Sequence, residues 1–152
     1  MDQTYRIFTD GSAIGNPGPG GWGAVLMRGN KQWEMSGAYP WTTISEMELV
    51  AAVEALRSIP SGARIELQSD SEYLIYGMRA FVFRWQSHGW RNSRGTALQH
   101  RHLWTQLIQL NTQLHIQWKW LKGHNGHPFQ CRADSLAYEA ANALRLAHRL
   151  AA

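Results

Sequence analysis

Four acidic residues stand where secondary-structure elements are predicted to begin or end. Asp10 and Asp70 each end an alternating, β-prone run of residues. Glu48 falls near the start of a predicted helix, and Asp134 falls at the start of the last helix, after a glycine-rich loop. If the two strands are parallel neighbours, both aspartates emerge at the same sheet edge, where α/β sites form. The two helix starts can converge on that edge.

Such a cluster of carboxylates has a defined chemistry. Four oxygen-donor side chains at one edge would repel one another unless cations lay between them. Hard oxygen ligands suit Mg²⁺ or Mn²⁺ rather than Zn²⁺. Two such ions about 4 Å apart can activate a water molecule and stabilise the leaving oxygen of a phosphodiester.

Each of these acids also has an ordinary structural explanation. Asp10 could end a strand before a turn, and Glu48 could interact favourably with a helix dipole. Asp70 and Asp134 could simply favour helix starts. The spacing alone therefore suggests a metal site without establishing it.

His124 lies in a loop, residues 122 to 128, between the last predicted strand and the last helix. Its pKa near neutrality suits proton transfer, and the flanking glycines would let it swing toward a metal-bound water or a leaving group. The alternative is an exposed loop histidine. His127, in the same loop, is interpreted as structural.

The elements that must position these residues begin with a β-rich half. Residues 5 to 10 predict a strand, and residues 11 to 23, with six glycines and two prolines, predict a cluster of turns. Residues 22 to 27 and 31 to 39 predict two more strands with a reversal at residues 28 to 30. Short connections between successive strands indicate an antiparallel meander.

The pattern changes to a helical period after Pro40. Thr43 and Glu46 match a capping box, and Pro60 and Gly62 end the helix that follows. The remaining elements are predicted in chain order as a strand over 65 to 69, helices over 71 to 85 and 98 to 112, a strand over 116 to 120 and a helix from about 133 to the end. A helix between the first and fourth strands allows them to lie parallel. We expect one α/β domain over residues 1 to 152, with a mixed five-stranded sheet and flanking helices.

The charge is unevenly spread. The net charge is +4, but residues 73 to 133 hold eight basic residues and no acidic one. These bases could form a positive surface for a polyanion, or a basic surface that only keeps the protein in solution. They are Arg79, Arg84, Arg91, Arg94, Arg101, Lys119, Lys122 and Arg132.

Composition limits the class of protein. The chain has 152 residues, 44% of them hydrophobic, with eight tryptophans, which is enough for one sizeable core. Cys131 has no cysteine partner in the chain, and the first residues lack the apolar stretch of a signal peptide. No segment approaches the length needed to cross a bilayer. These features predict a cytoplasmic protein without a membrane anchor.

Several motifs at compatible spacing resemble type 1 ribonuclease H of bacteria. The motifs lie at residues 9 to 12, 15 to 23, 47 to 52, 69 to 73, 118 to 124 and 132 to 137, and the resemblance covers essentially residues 4 to 142. The resemblance implies a ribonuclease H-like fold and hydrolysis of the RNA strand of an RNA/DNA hybrid, leaving 3′-hydroxyl and 5′-phosphate ends. It implies that two Mg²⁺ ions, which Mn²⁺ can replace, are bound by Asp10, Glu48, Asp70 and Asp134. It also implies that His124 assists proton movement or product release.

The resemblance also implies a substrate-binding surface. In the family, the region equivalent to residues 81 to 101 includes a protruding handle and a channel that grips the DNA strand. The aromatic residues there offer stacking surfaces, and the arginines can meet phosphates. A backbone at Gly11 close to the RNA, together with Glu48, could sense 2′-hydroxyls. The implied substrate-binding residues are Gly11, Asn16, Thr43, Phe81, Arg84, Trp85, Trp90, Arg91 and Arg94, whereas core packing is expected for Trp104, Trp118 and Trp120.

The chain departs from the family pattern at several positions. Ile44 and Ser45 replace two asparagines that precede the metal-binding glutamate motif. Trp41 and His100 stand where many relatives place Arg and Asn in a DNA-phosphate pocket, while Thr43 is retained. The handle has Gln86, Ser87 and His88 in place of a lysine-rich run, and Gln130 and Cys131 replace an Asn–Glu pair. We infer an active enzyme with different substrate binding and weaker affinity at neutral pH.

Two other functions compete with this interpretation. One is a hybrid-binding module that has lost cleavage, against which the retention of all four acids and His124 argues. The other is a nuclease or transposase domain that cuts DNA, since a related sheet does not fix the substrate. No obligate protein partner is indicated, and a monomer is expected.

Overall fold

The computed structural model describes residues 3–123 and 126–151. Its strands are β1 (Tyr5–Ala13), β2 (Gly18–Arg28), β3 (Lys31–Thr42), β4 (Arg64–Ser69) and β5 (His115–Trp120). Its helices are α1 (Ile44–Arg57), α2 (Glu72–Tyr76), α3 (Val82–Ser87), α4 (Arg101–Gln113) and α5 (Pro128–Ala151), with a π-helical turn (Gly77–Phe81) between α2 and α3. The strands form a mixed sheet in the order β3-β2-β1-β4-β5.

The β1–β2 hairpin is longer than the sequence predicts. Pairing continues to Ala13 opposite Gly20, so most of the glycine-rich segment is strand rather than a cluster of turns. The physical reason is close packing against helices. A Cβ atom at Gly23 would lie 2.6 Å from the Ala133 carbonyl oxygen, and one at Gly21 would overlap the Ala137 carbonyl oxygen. These glycines therefore serve the approach of α5 to β2.

Helix α1 begins where the capping motif predicts. The Thr43 hydroxyl accepts a hydrogen bond from the Glu46 backbone N–H at 3.2 Å. The reciprocal half of the box is different, because the Glu46 carboxylate accepts a hydrogen bond from the Thr42 hydroxyl. The Asn16 side-chain oxygen accepts from the Ile44 N–H at 2.9 Å and so links the β1–β2 loop to the start of this helix.

The crossover through α1 brings β4 alongside β1 in parallel, as predicted. Tyr5 to Phe8 pair with Ile65 to Gln68, and β4 in turn pairs in parallel with β5. Helices α1 and α4 cover one face of the sheet, where Trp104 is fully buried. Helix α5 packs on the other face, against β1, β2 and β3.

Three predicted helices differ from those in the structure. The single helix expected over 71 to 85 is broken by the π-helical turn at Gly77, where a Cβ atom would collide with the Trp104 ring. Helix α4 starts at Arg101 rather than residue 98. Helix α5 starts at Pro128, about five residues earlier than expected, since proline is well suited to the first turn of a helix.

The expected burial of three tryptophans is correct for Trp104 and Trp118 only. Trp120 is 38% exposed because it ends the edge strand β5. Within the described ranges, no helix has the length and apolar character of a membrane span.

Candidate active site

The four predicted acids border one pocket at an edge of the sheet. Asp10 lies two residues beyond the last β1–β4 pair, Phe8 with Gln68, and Asp70 follows β4 directly. The parallel register therefore carries both carboxylates to the same edge. The pocket is lined by Asp10, Gly11, Glu48, Asp70, Gln130, Cys131 and Asp134.

Helices α1 and α5 supply the other two acids. Glu48 is the fifth residue of α1, and the absence of a side chain at Gly11 allows the Glu48 backbone nitrogen to approach β1. Asp134 is not at a helix start as expected. It lies in the second turn of α5, on the exposed side of the helix, because that helix begins at Pro128.

Burial and mutual repulsion perturb these acids. Burial, and then the charge of Asp70, raise the pKa of Asp10 to about 8, although its oxygen accepts a 2.8 Å hydrogen bond from the Gly11 N–H. Burial also raises the pKa of Glu48, while a hydrogen bond from Ser71 opposes the rise. An arrangement of this kind makes the ionised pocket costly without a cation.

The pocket fits a hard cation by its donor set, which is dominated by carboxylate oxygens. In the described part of the chain, no three His, Cys, Asp or Glu side chains form a ready ligand set for one ion. The acids therefore converge on a shared pocket without forming a closed cage.

Two further residues contact the acid-bearing segments, although sequence reasoning assigned neither of them a role at the site. The Ser71 hydroxyl donates to Glu48 Oε2 at 2.5 Å. The Trp120 indole Nε1 donates to the Asp70 carbonyl oxygen at 3.2 Å, which explains one function of a partly exposed tryptophan at the end of β5. Ser71 belongs to one of the family motifs, but only its spatial position shows what it touches.

Gln130 and Cys131, which replace a family pair, both border the pocket. Gln130 is 6% exposed and donates through Nε2 to the Thr9 carbonyl at 3.1 Å. Its Oε1 is buried and has no partner among the described residues. The Cys131 thiol is free and exposed.

The loop before α5 comes close to the pocket, although His124 itself lies outside the described residues. At Gly123, immediately before it, a Cβ atom would lie 3.1 Å from Asp70 Oδ2. His127 packs its ring against Phe8 with centroids 4.9 Å apart, in agreement with the structural role expected of it.

The aromatic residues implied in substrate binding differ in exposure. Phe81 is 44% exposed and stacks on Trp85 with ring centroids 5.8 Å apart. Trp85 is half-buried and meets Trp104 edge-on. Trp90 corrects the expectation, because it is only 9% exposed and the Arg101 guanidinium lies 5.5 Å above its ring. It therefore offers little free stacking surface.

The three arginines of the same region are exposed, and Arg91 donates to the Gly95 carbonyl oxygen at 2.8 Å. Arg84 and Arg94 also project from the region in which the described residues carry no acidic side chain. No carboxylate of residues 3–123 or 126–151 forms an ion pair with these three arginines, so they can meet a polyanion without first breaking such a pair with that part of the chain.

The residues around the expected phosphate pocket have an unusual arrangement. Trp41 is 72% exposed, whereas Thr43 uses its hydroxyl to cap α1. His100 Nδ1 lies 3.6 Å from Glu46 Oε2. Burial lowers the pKa of His100 more than the nearby carboxylate raises it, so this contact is not an ion pair at neutral pH.

Fold and site together define the ribonuclease H-like class of α/β proteins, as the solved structures confirm. LC9-RNase H1, a type 1 RNase H with the type 2 active-site motif, superimposes with a TM-score of 0.84 at 28% sequence identity, covering 93% of this chain and 74% of that one. LC11-RNase H1, solved in complex with an RNA/DNA hybrid, shares the fold with a TM-score of 0.67 at 22% identity, covering 91% of this chain and 96% of that one.

The RNase H family model matches residues 2–142, and this chain belongs to the RNase H family. It is 44% identical over 135 residues to the ribonuclease H of Hahella chejuensis, which covers 89% of this chain and 91% of that protein. The resemblance and the fold class predicted from the sequence are thereby confirmed. The protein is an enzyme of the ribonuclease H family.

Proposed function

We propose that this protein is an endonuclease that hydrolyses the RNA strand of RNA/DNA hybrids and leaves 3′-hydroxyl and 5′-phosphate ends. The observation that carries the proposal is the convergence of four acids, from two strands and two helices, on one pocket of a ribonuclease H chain. A chain that only bound hybrids would have no need for a buried carboxylate such as Asp10 beside other acids.

The proposed cofactor is a pair of Mg²⁺ ions, for which Mn²⁺ can substitute. Asp10, Glu48, Asp70 and Asp134 would hold them, since these side chains supply the oxygen donors of the pocket. When bound, the metal supplies an activated water and charge stabilisation for phosphodiester hydrolysis. The protein's own contribution is to hold the four carboxylates at the sheet edge.

His124 is proposed to move a proton or to assist product release. The support is its chemistry and its place in the chain, directly after Gly123, which lies against Asp70. It would act on the leaving oxygen or on the attacking water from the loop that joins β5 to α5.

Substrate binding is proposed to use the surface from Phe81 to Arg101. Phe81 and Trp85 present a stacked aromatic pair, and Arg84, Arg91 and Arg94 present exposed positive charge. Trp90 would act indirectly, by holding Arg101 through its ring.

Gly11, Asn16 and Thr43 are proposed to contact the substrate through backbone groups or remaining polar atoms. The side-chain oxygens of Asn16 and Thr43 are already engaged at the start of α1. The amide NH₂ of Asn16 is the group proposed for the substrate, and Gly11 would place backbone close to the RNA strand.

The test is a comparison of three labelled duplexes of one sequence: RNA/DNA hybrid, duplex DNA and duplex RNA. With Mg²⁺ present, we expect the purified protein to nick only the RNA strand of the hybrid, and we expect chelation to stop the reaction. Cleavage of duplex DNA would instead support the related nuclease or transposase activity. Tight hybrid binding without cleavage in Mg²⁺ or Mn²⁺ would support a binding module.

We further propose that the enzyme acts as a cytoplasmic monomer without an obligate protein partner. Light scattering of the active preparation, with and without hybrid, tests the oligomeric state. A mass of one chain that retains full specific activity is expected.

A further inference from the structure

Ser71 occupies a position from which it contacts two parts of the site at once. It follows Asp70 directly and is 5% exposed. Its hydroxyl donates to Glu48 Oε2 at 2.5 Å and accepts from the Leu74 N–H at 3.1 Å. Its own N–H donates to the Ser69 hydroxyl at 3.0 Å. The side chain thus has no freedom to rotate without losing a contact.

The segment around Ser71 is held from the other side as well. Trp120 of β5 donates to the Asp70 carbonyl oxygen at 3.2 Å, and Gly123 lies against the Asp70 carboxylate. The backbone of Asp70 is therefore fixed between β5 and the start of α2. A side chain attached to this segment can serve as a fixed reference point for a flexible glutamate.

Glu48 needs such a reference point. It reaches the pocket from α1, whereas Asp10 and Asp70 are attached to the sheet. A glutamate side chain has three rotatable bonds, so helix position alone does not set where its carboxylate lies. In the structure, the Ser71 hydroxyl is the neighbour that donates to this carboxylate.

We propose that Ser71 is a positioning residue that holds the Glu48 carboxylate beside Asp70 in the geometry required for divalent-cation binding. The inference rests on the proposed function in assigning Glu48 as a metal ligand. Ser71 itself does not touch the cation. Its hydroxyl directs one Glu48 oxygen toward α2 and leaves the other for the pocket, as outer hydrogen bonds commonly orient ligating carboxylates.

The competing explanation is that Ser71 only caps α2. Ser71→Ala removes both the cap and the Glu48 contact, so it cannot separate the two alone. Ser71→Gly removes the hydroxyl but keeps a residue type accepted at helix N-caps, and Ser71→Thr keeps both hydrogen bonds. Ser58→Ala is the matched control, because it deletes a serine bond to the Ala55 carbonyl at the far end of α1, away from the pocket.

The decisive measurement is Mg²⁺ binding to the free protein by calorimetry, repeated with Mn²⁺, alongside the Mg²⁺ dependence of hybrid cleavage. We expect Ser71→Ala and Ser71→Gly to raise the half-saturating Mg²⁺ concentration about 10-fold in both assays. Turnover at saturating Mg²⁺ should stay within about threefold of wild type, since the ligands themselves remain. Ser71→Thr should bind Mg²⁺ within about threefold of wild type. The control Ser58→Ala should bind Mg²⁺ as tightly as wild type.

The outcomes separate this inference from the proposed function. If Ser71→Ala and Ser71→Gly both bind Mg²⁺ as wild type does and show only a lowered melting temperature, the positioning role is overturned. Ser71 would then serve only as the N-cap of α2. A loss of turnover without any change in Mg²⁺ binding would also overturn it. If the wild-type chain fails to cleave hybrids but the variants still weaken Mg²⁺ binding, the positioning role stands and the proposed substrate is wrong. If the wild type binds neither Mg²⁺ nor Mn²⁺, both proposals fall.

Discussion

Asp10 is the most deeply buried of the four pocket acids, and its environment shows what a single residue contributes to the site. Desolvation and the charge of Asp70 both disfavour its ionised form, while the Gly11 N–H favours it. A bound cation would reverse this balance, because attraction to the cation would exceed repulsion between the acids. The same residue is thus unfavourable in the metal-free protein and useful in the metal-bound one.

Removing the charge of either sheet-borne acid should abolish cleavage. We expect Asp10→Asn and Asp70→Asn to reduce hybrid cleavage in Mg²⁺ by about 10³-fold or more, since each loses a charged metal ligand. Folding, followed by circular dichroism, and hybrid binding in a chelator should persist. Activity within a factor of ten of wild type for both variants would remove these residues from the metal site.

A second prediction at the residue scale concerns His100 and pH. Its pKa is lowered in the folded protein, so the unfolded chain binds a proton more readily than the folded one. The contribution of His100 to stability should therefore be greatest above the ordinary histidine pKa of about 6.5 and decline as the pH falls below it, whereas the raised pKa of Asp10 acts in the opposite direction in both proteins. Relative to wild type, the free energy of unfolding of His100→Asn should therefore rise when the pH is lowered from about 7.5 to 5.5. This change in the stability difference between the two proteins should be under ~1 kcal/mol, because the His100 ring is only partly buried and its charge is screened by solvent.

Urea unfolding of wild type and His100→Asn at those two pH values measures the free energy of unfolding of each protein and so checks the direction of this change. Identical pH dependence in the two proteins would mean that the ring does not resist protonation in the folded state. The variant also removes the contact with Glu46, so absolute stability at high pH serves only as the baseline for each protein.

At the scale of elements, the glycines of β2 make the packing of α5 possible. Helix α5 brings Asp134 to the pocket, and Gly21 and Gly23 lie directly beneath its backbone. A methyl group on either glycine would push the helix outward, since the atoms it meets are main-chain and Cβ atoms, which no change of rotamer can move away. The distance between Asp134 and the sheet-borne acids therefore depends on residues that perform no chemistry.

Gly23→Ala should consequently destabilise the protein by about 2 to 4 kcal/mol, more than an ordinary small-to-large change, because backbone must move. Gly29→Ala is the matched control. Gly29 has φ of +61°, and a Cβ atom added there would meet nothing within 4 Å, so that change should cost only about 1 kcal/mol. Equal losses in thermal or chemical unfolding would indicate that α5 does not rest on the strand at Gly23.

The elements that could be predicted from the sequence are those whose signals are local. The Thr43 cap, the apolar face after it and the alternation before Asp70 each depend on neighbouring residues, and each is found where expected. The prediction of turns in the glycine-rich segment is wrong, because two of its glycines, Gly21 and Gly23, pack against a helix more than a hundred residues away in the chain. The local pattern of residues cannot predict a contact with so distant a segment.

The same distinction applies to the candidate site. Strand ends and the crossover are sufficient to predict that Asp10 and Asp70 share an edge. The Ser71 contact with Glu48 and the Trp120 contact with Asp70 could not be predicted, because each joins elements whose relative rotation only packing determines. Trp90 shows a different error: its residue type suggested a free stacking surface, whereas in the structure the side chain is buried in the core.

At the scale of the whole molecule, acidic and basic functions occupy different parts of the chain. The acids converge at the sheet edge, whereas Arg84, Arg91 and Arg94 are exposed in and just after α3. A long polyanion could contact both regions at once. Binding and chemistry should therefore respond separately to mutation.

Replacing Arg84, Arg91 and Arg94 together with alanine should raise KM more than it lowers kcat, because uniform binding energy would be lost. The logarithmic dependence of KM on salt should become shallower by up to ~0.9 per phosphate contact removed. A control triple variant of Arg57, Arg145 and Arg149, which lie on α1 and α5 outside this region, should leave the salt slope unchanged. An unchanged KM and slope in the first variant would place this basic surface outside the substrate path.

Cys131 gives the molecule a practical property. It is the single cysteine of the chain, it is exposed, and it borders the acid pocket. A thiol-reactive fluorophore will therefore attach at one known position without any engineering, and its emission will report directly on the surroundings of the pocket. By the same geometry, any adduct on this thiol would lie beside the acid pocket, so turnover is best compared between preparations kept in reductant.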